Sequence, residues 1–367
     1  PQTGWGQVFA DYFNDDIIIE NRAMGGRSSK SYDNDGRLDR ILTEMHPGDY
    51  VFIQFGINDG AENKPERYIS VEDYKKLITD KYIGEVEKRG GTPVLMTANA
   101  AAWWDEENNC FMESRKDYAD PTREIAEETG CKFIDENKIV TDAWNSMSKN
   151  RVLSGYFVCE PLESKAYPSG TNDTTHMKAK GAKRVAKLIA DAIPENVPEL
   201  AKYLRGDETF TDIQGHWAED VIKTLAENDK VSGVGDGKFN PDGTVTRAEF
   251  LKMAMDSLGI VGHAYRDGEC LDARNDDWYC YYLQGALDKD IIPKEMIENC
   301  DFTNVTKMLK ESTEKEKAVR ANVNVYTGKF YGDKPITREE MAVIATRCKN
   351  YKMRNWRDWD NERRIPV

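Results

Sequence analysis

The apolar positions of the first 200 residues alternate between short continuous runs and helical periodicity. Ile17-Ile18-Ile19 reads as a buried strand, followed by the glycine turn Met24-Gly25-Gly26-Arg27. Helical spacing covers Arg37 to Met45, and a second apolar run, Tyr50 to Phe55, stops at Gly56. Tyr74, Leu77, Ile78 and Val86 share one face of a helix that Gly90-Gly91 can close, because glycine accepts the left-handed conformation of a helix end. Pro93 to Met96 is a third strand, Pro121 to Thr129 a helix, and Lys132-Phe133-Ile134 a short fourth strand with another helix after it. Ala182, Val185, Ala186, Ile189 and Ile193 give the last helix its apolar face. Strands alternating with helices predict a parallel sheet covered on both sides, whose ligands bind outside the carboxyl ends of the strands. At those ends stand Gly26, the pair Asn58-Asp59 and, before the last helix, Asp173 and His176.

Near Pro198 to Asp207 the pattern changes to an internal repeat. The first copy holds Phe210-Thr211-Asp212, His216-Trp217-Ala218, an amphipathic helix, Phe239-Asn240-Pro241 and Thr246-Arg247-Ala248-Glu249. A looser second copy holds Tyr265-Arg266-Asp267, Asp277-Trp278-Tyr279, a helix through Leu287, Phe330-Tyr331-Gly332 and Thr337-Arg338-Glu339-Glu340. A polar insertion of about Asn299 to Thr327 interrupts it, and Trp356-Arg357-Asp358 opens a candidate third copy. The division that follows is a domain at 1–200, repeats at 208–262 and 263–350, and the start of another at 351–367. Each copy is too small to bury a core alone, so the copies are expected to pack together.

Composition narrows the function classes. Of 367 residues, 39% are hydrophobic, with 8 Trp and 17 Tyr, which fits folded domains. A formal net charge of -14 repels phosphate backbones and argues against nucleic acid or an anionic membrane as partner. No apolar run approaches the roughly 20 residues of a membrane helix. Seven cysteines without a C-x-x-C pair carry no zinc pattern and leave disulfides open.

The chemistry centres on Asp173-Thr174-Thr175-His176, a carboxylate that can orient an imidazole while the ring moves a proton. The plainer alternative is a histidine capping the last helix. In Gly56-Ile57-Asn58-Asp59 an asparagine ends a buried strand, where its side-chain N–H can meet a developing oxyanion or merely close an Asx-turn. Gly25-Gly26 can bring a bare backbone N–H to the same point, or form a simple turn. Trp103-Trp104, after the third strand, and Trp5 suit either sugar stacking or, the favoured reading for Trp103-Trp104, cover of the core edge.

Gly4 to Gln7, Asn21 to Ser28, Gly56 to Gly60 and Asp173 to His176, in that order, resemble the SGNH hydrolases, also called GDSL-type lipases and acylesterases, of the rhamnogalacturonan acetylesterase-like branch. The resemblance implies a flavodoxin-like three-layer α/β/α domain. It also implies His176 as base, Asp173 orienting it, and the Gly26 N–H with Asn58 in the oxyanion hole. The family's nucleophile lies in a Gly-Asp-Ser block on a central first strand. This chain has no such block, so it is expected upstream of Pro1, with Ser28 and Ser29 as substitutes of lesser weight. Ile57 stands where the family usually has a histidine.

The repeats resemble S-layer homology modules, which bind secondary cell-wall polymers, and Thr246 to Glu249 and Thr337 to Glu340 carry that resemblance. It implies mainly helical modules in which Arg247, with Asp212 and Trp217, lines an anionic-glycan pocket; Arg338 is its counterpart in the second copy. An arginine fork suits charged wall polymers, whereas Trp217 is read as core. The expectation is a cell-surface serine esterase of a Gram-positive-type bacterium, free of metal or organic cofactor. It would act on acetylated polysaccharide such as pectin, rhamnogalacturonan or xylan. The rival reading is a catalytically inactive wall-bound glycan-binding or structural protein.

Overall fold

The structure, a computed structural model, describes residues 2–205, 210–227, 231–235, 237–264, 272–274, 277–302 and 326–363. The chain divides into two compact units, Pro1–Phe157 with Asp173–Gly206, and Val158–Asn172 with Asp207–Val367.

In the first unit the strands are β1 (Tyr50–Gln54), β2 (Thr92–Met96), a hairpin of β3 (Trp103–Asp105) and β4 (Cys110–Met112), and β5 (Lys132–Ile134). β1, β2 and β5 form a parallel sheet in that order, pairing Tyr50 with Thr92 and Val94 with Lys132. Strand side chains alternate between faces. Val94 and Met96 therefore join Phe9, Val140, Val185 and Ile189 on one side, while Leu95 joins Tyr74, Ile78 and Ile125 on the other. Two apolar clusters around one sheet make the three-layer α/β/α fold. Tyr74, Ile78 and Val86 are fully buried along the continuous helical stretch Val71–Leu77, Ile78–Ile83 and Gly84–Lys88, as their spacing requires. Gly90, at φ 76°, ends it.

One local expectation fails. Ile17-Ile18-Ile19 forms no strand, and Ile18 is 85% exposed. Ile17 and Ile19 pack part-buried against the core cluster around Phe9, but the run pairs with no strand among the described residues. Trp103 and Trp104 form β3, and Trp104 packs edge-on against Phe111 at 4.9 Å, covering the edge of the core as the favoured reading of the pair has it.

The second unit is mainly helical, with Glu219–Glu227, Arg247–Ser257, Cys280–Asp288 and Arg338–Arg363. Leu251 and Met255 of the first copy share a core with Leu283, Leu287, Phe330 and Ile344 of the second, so the copies do pack together. Thr246 caps its helix by accepting the Glu249 N–H, and Glu249 returns the bond to the Thr246 N–H. The Thr-Arg-Ala-Glu signature is thus a capping box. Tyr265 to Asp267 and the interior of the insertion lie outside the described residues. The backbone from Arg338 runs as one helix through Trp356 to Asp358. No helix among the described residues is long and apolar enough to cross a membrane.

Candidate active site

The loops at the carboxyl end of β1 are built around Asp59. It is fully buried, and its Oδ2 accepts the Gly56 N–H at 2.8 Å. Its Oδ1 accepts both the Ser29 N–H at 2.8 Å and the Ser29 hydroxyl. One carboxylate therefore clamps the Gly25–Ser29 segment to the Gly56–Asp59 turn. Burial pushes this carboxyl above its ordinary range, and the Ser29 and Gly56 donors oppose the shift without cancelling it. Gly56 is obligatory: at φ 112°, an added Cβ would lie 2.9 Å from the Ala98 Cβ and 3.0 Å from the Tyr118 Cβ.

This clamp brings two of the expected site residues together. Asn58 Nδ2 donates to the Arg27 carbonyl at 3.1 Å, next to Gly26, which takes φ 73° in an exposed turn. An amide nitrogen has two hydrogens, so one donor remains beyond the Arg27 bond. Arg67, which sequence reasoning missed, flanks both residues. Its Nη1 donates to Asn58 Oδ1 at 3.5 Å, and its Nη2 lies 3.6 Å from where a Gly26 Cβ would be. Together the Arg67 and Arg27 bonds fix which end of the amide is nitrogen.

Ser28 and Ser29 do not serve as substitute nucleophiles. Both are fully buried; Ser28 Oγ caps the helix Ser29–Asn34 through the Ser31 N–H, and Ser29 Oγ is held by Asp59.

Asp173 and His176 meet as a pair, with His176 Nδ1 2.7 Å from Asp173 Oδ2. Asp173 Oδ1 accepts the backbone N–H of Thr175 at 2.8 Å and of His176 at 2.9 Å, and Gln2 Nε2 donates to Oδ2 at 2.8 Å. Burial raises the Asp173 carboxyl, but the His176 and Thr175 N–H groups and the ring outweigh it, so its net shift is downward and it stays ionised. The imidazole is 64% exposed, open to solvent beyond its Asp173 bond. The following helix begins at Ala179 with Lys178 at its cap and no side-chain capping bond, so His176 is free of that role. Thr174 O accepts the Ala102 N–H at 2.8 Å. Ala102 belongs to the loop leaving β2, which puts the pair at the same end of the sheet as Asn58.

In the second unit the side chains depart from expectation. Trp217 is 89% exposed, so it is not core. Arg247, expected to face a ligand, is 4% exposed: its Nη1 donates to Phe330 O at 2.8 Å and its Nη2 meets Glu340. Its two Nη groups join the two copies, while its buried Nε has no hydrogen-bond partner among the described residues. Asp212 accepts the N–H groups of Phe239 at 2.8 Å and Asn240 at 2.7 Å, which holds its carboxyl below the ordinary range despite partial burial. Asp272 repeats this contact on Phe330 and Tyr331. It is the second copy's counterpart of Asp212, a place the sequence reading gave to Asp267; the signal was an Asp shortly before Trp278, as Asp212 stands before Trp217. Arg338 is exposed at the start of its helix.

A comparison with known families decides the lineage. The profile of the GDSL-like lipase/acylhydrolase family matches residues 1–184. The chain belongs to that family. The S-layer homology domain profile matches 209–251 and 323–342. Among curated relatives, the probable rhamnogalacturonan acetylesterase YesY of Bacillus subtilis is 34% identical over 194 residues, 53% of this chain and 84% of that protein. Rhamnogalacturonan acetylesterase RhgT of the same organism is 32% identical over 198 residues, 53% of this chain and 82% of its own. The uncharacterized esterase YxiM, also of B. subtilis, is 28% identical over 193 residues, 52% of this chain and 46% of that protein. This GDSL-family chain is a carboxylic ester hydrolase joined to S-layer homology modules.

Proposed function

We propose that the protein is a serine esterase, anchored to the bacterial cell wall by its second unit, that removes acetyl groups from an acetylated plant polysaccharide of the rhamnogalacturonan or xylan type. The Asp173–His176 pair, held by Ala102 at the sheet end where Asn58 meets the Gly26 turn, carries this reading. The names of the B. subtilis relatives support the acetyl group and, of the two polysaccharides, rhamnogalacturonan.

In this reading His176 takes the proton of a serine hydroxyl as its oxygen attacks the acetyl carbonyl, and Asp173 stabilises the imidazolium. The Asn58 and Gly26 N–H groups receive the oxyanion. Collapse expels the sugar oxygen, which His176 protonates; water then cleaves the acetyl-serine to acetate. The serine is proposed to lie N-terminal to Pro1. The burial of Ser28 and Ser29, and the lack of a strand on the outer side of β1 among the described residues, support that placement.

The test is acetate release from acetylated rhamnogalacturonan and acetylated xylan by the full-length protein. His176→Ala should lower kcat by a factor of about 10³ or more, the usual loss on removing one member of such a set. An unchanged rate in H176A would remove His176 from the role of base. No acetate release from the wild type would favour the inactive glycan-binding alternative.

A further inference from the structure

The loop that leaves β2 is tied down at nearly every residue. Gln54 Nε2 donates to Thr97 O at 2.9 Å and Asn137 Nδ2 to Ala98 O at 2.7 Å. The N–H groups of Ala100, Ala101 and Ala102 go to Glu136 Oε2 at 3.0 Å, Ser114 Oγ at 2.9 Å and Thr174 O at 2.8 Å. Ala98, Ala100, Ala101 and Ala102 are at most 2% exposed, so this is a dry shelf, with small side chains that let the backbones approach. The last of its bonds ends inside the loop that carries Asp173 and His176.

Glu136 is the unusual member. It is the first residue of the helix Glu136–Asn145 and fully buried, and its Oε1 has no hydrogen-bond partner among the described residues. A buried carboxyl with half its bonding unmet is costly, and a helix can start without one. What it supplies is an acceptor for the Ala100 N–H, two residues before the N–H that holds Thr174.

We propose that Glu136 is a positioning residue for the reaction: its carboxyl fixes Ala100, and through it the Ala102–Thr174 hydrogen bond that sets the loop carrying the Asp173–His176 pair. This rests on the reading of His176 as base. Burial raises the Glu136 carboxyl well above its ordinary range; the Ala100 N–H opposes the shift and nearby Asp135 adds to it. The raised carboxyl favours the protonated form, in which Oε2 can still accept the Ala100 N–H.

The test uses the full-length protein with 4-nitrophenyl acetate, together with amide hydrogen exchange. Glu136→Met keeps the volume and removes the acceptor. It should lower kcat by about 10- to 100-fold, the scale of loss when a reacting group shifts by about 1 Å, with KM changed less than about twofold. Exchange at Ala100, Ala102, Thr175 and His176 should quicken in parallel. Glu136→Gln, which keeps an oxygen for Ala100, should restore kcat to within about threefold. If E136M does not fold, Glu136→Asp, which withdraws the carboxyl by one methylene, should show the same kcat loss and faster exchange. Wild-type kcat in E136M or E136D, a kcat loss without faster exchange at Thr175 and His176, or an E136Q as slow as E136M would each overturn the proposal. An unchanged rate in H176A would refute the assignment of the base instead, and the exchange data would still report whether Glu136 holds the loop.

Discussion

Replacing Asp59 with alanine should release the two loops that carry Asn58 and Gly26. The side chain satisfies three donors in a fully buried setting: the Gly56 N–H, the Ser29 N–H and the Ser29 hydroxyl. The hydroxyl can rotate to another acceptor, but the two backbone N–H groups cannot. Each orphaned buried donor costs about 1–3 kcal/mol, so D59A should lose about 2–6 kcal/mol of stability. Asp59→Asn separates the contributions. Both Ser29 bonds end on Oδ1, which an amide oxygen can replace, whereas the Gly56 N–H would face an NH2 group. Only one donor is orphaned, and D59N should lose about 1–3 kcal/mol. Urea unfolding of both variants measures these losses, and acetyl-ester hydrolysis on the folded fraction reads the second consequence. Loosening the clamp misplaces the Asn58 donor, so kcat should fall by about 10-fold or more while KM holds. A D59A stability within about 1 kcal/mol of wild type, or a D59N less stable than D59A, would refute the assignment of Asp59 as the clamp.

Two further outcomes follow from the same kind of accounting. Arg247→Met leaves the largely buried Glu340 without its cation and Phe330 O without its donor, so the second unit should lose about 3 kcal/mol in thermal or urea unfolding. Arg247 also holds the Glu340 carboxyl below its ordinary range. The stability that pair contributes is present above the unfolded carboxyl value and lost as pH falls through the folded one, and R247M should lack this acid-side loss. Glu136 has the opposite sign. Its folded value is raised, so its contribution is complete below the unfolded value of 4.5 and is lost as pH rises through the folded value. Glutamine cannot ionise, so the unfolding temperature of E136Q relative to wild type should climb with pH; a pH-independent difference would mean that Glu136 is already ionised in the fold.

Much of the first unit was legible because burial leaves a periodic trace. Tyr74, Ile78 and Val86 on the first long helix and Val185, Ile189 and Ile193 on the last are fully buried, and both patterns could be read from spacing alone. Ile17 to Ile19 carry an equally good strand pattern, but a strand also needs a neighbour, which local composition does not encode. Asn58 and Asp59 looked like one ambiguous pair, Asx-turn or oxyanion donor. In the fold they divide the work: Asp59 closes the turn onto Gly56, and Asn58 keeps an N–H to spare. Glu136, between Asp135 and Asn137, looked like any polar helix start, because the N–H it accepts comes from a loop 36 residues away. Arg247 and Trp217 were misjudged for the same reason. An arginine is buried only if a distant chain brings it an acceptor, and a tryptophan is buried only if a distant chain covers it. Phe330 and Glu340 met the first condition, and nothing among the described residues met the second.

The support around the site is uneven, and the unevenness has kinetic meaning. Behind the proposed reacting groups the support is buried and hydrogen-bonded through Asp59 under the Asn58 turn, and through Glu136 Oε2 and Ser114 under the shelf that reaches Thr174. In front, the His176 ring is mostly open and Gly26 lies in an exposed turn. The polysaccharide proposed as substrate is too large to be enclosed, so on that proposal its ester is met at an open surface and precision comes from the protein side alone. Preorganised donors are effective because they need not reorganise as charge develops, and buried hydrogen bonds supply that rigidity where a closing lid would otherwise do so. Substitutions at Asp59 and Glu136 should therefore register mainly in kcat. Substitutions at the half-buried neighbour Arg67, beside Asn58 and the Gly26 turn, should divide between kcat and KM if it meets the proposed sugar substrate.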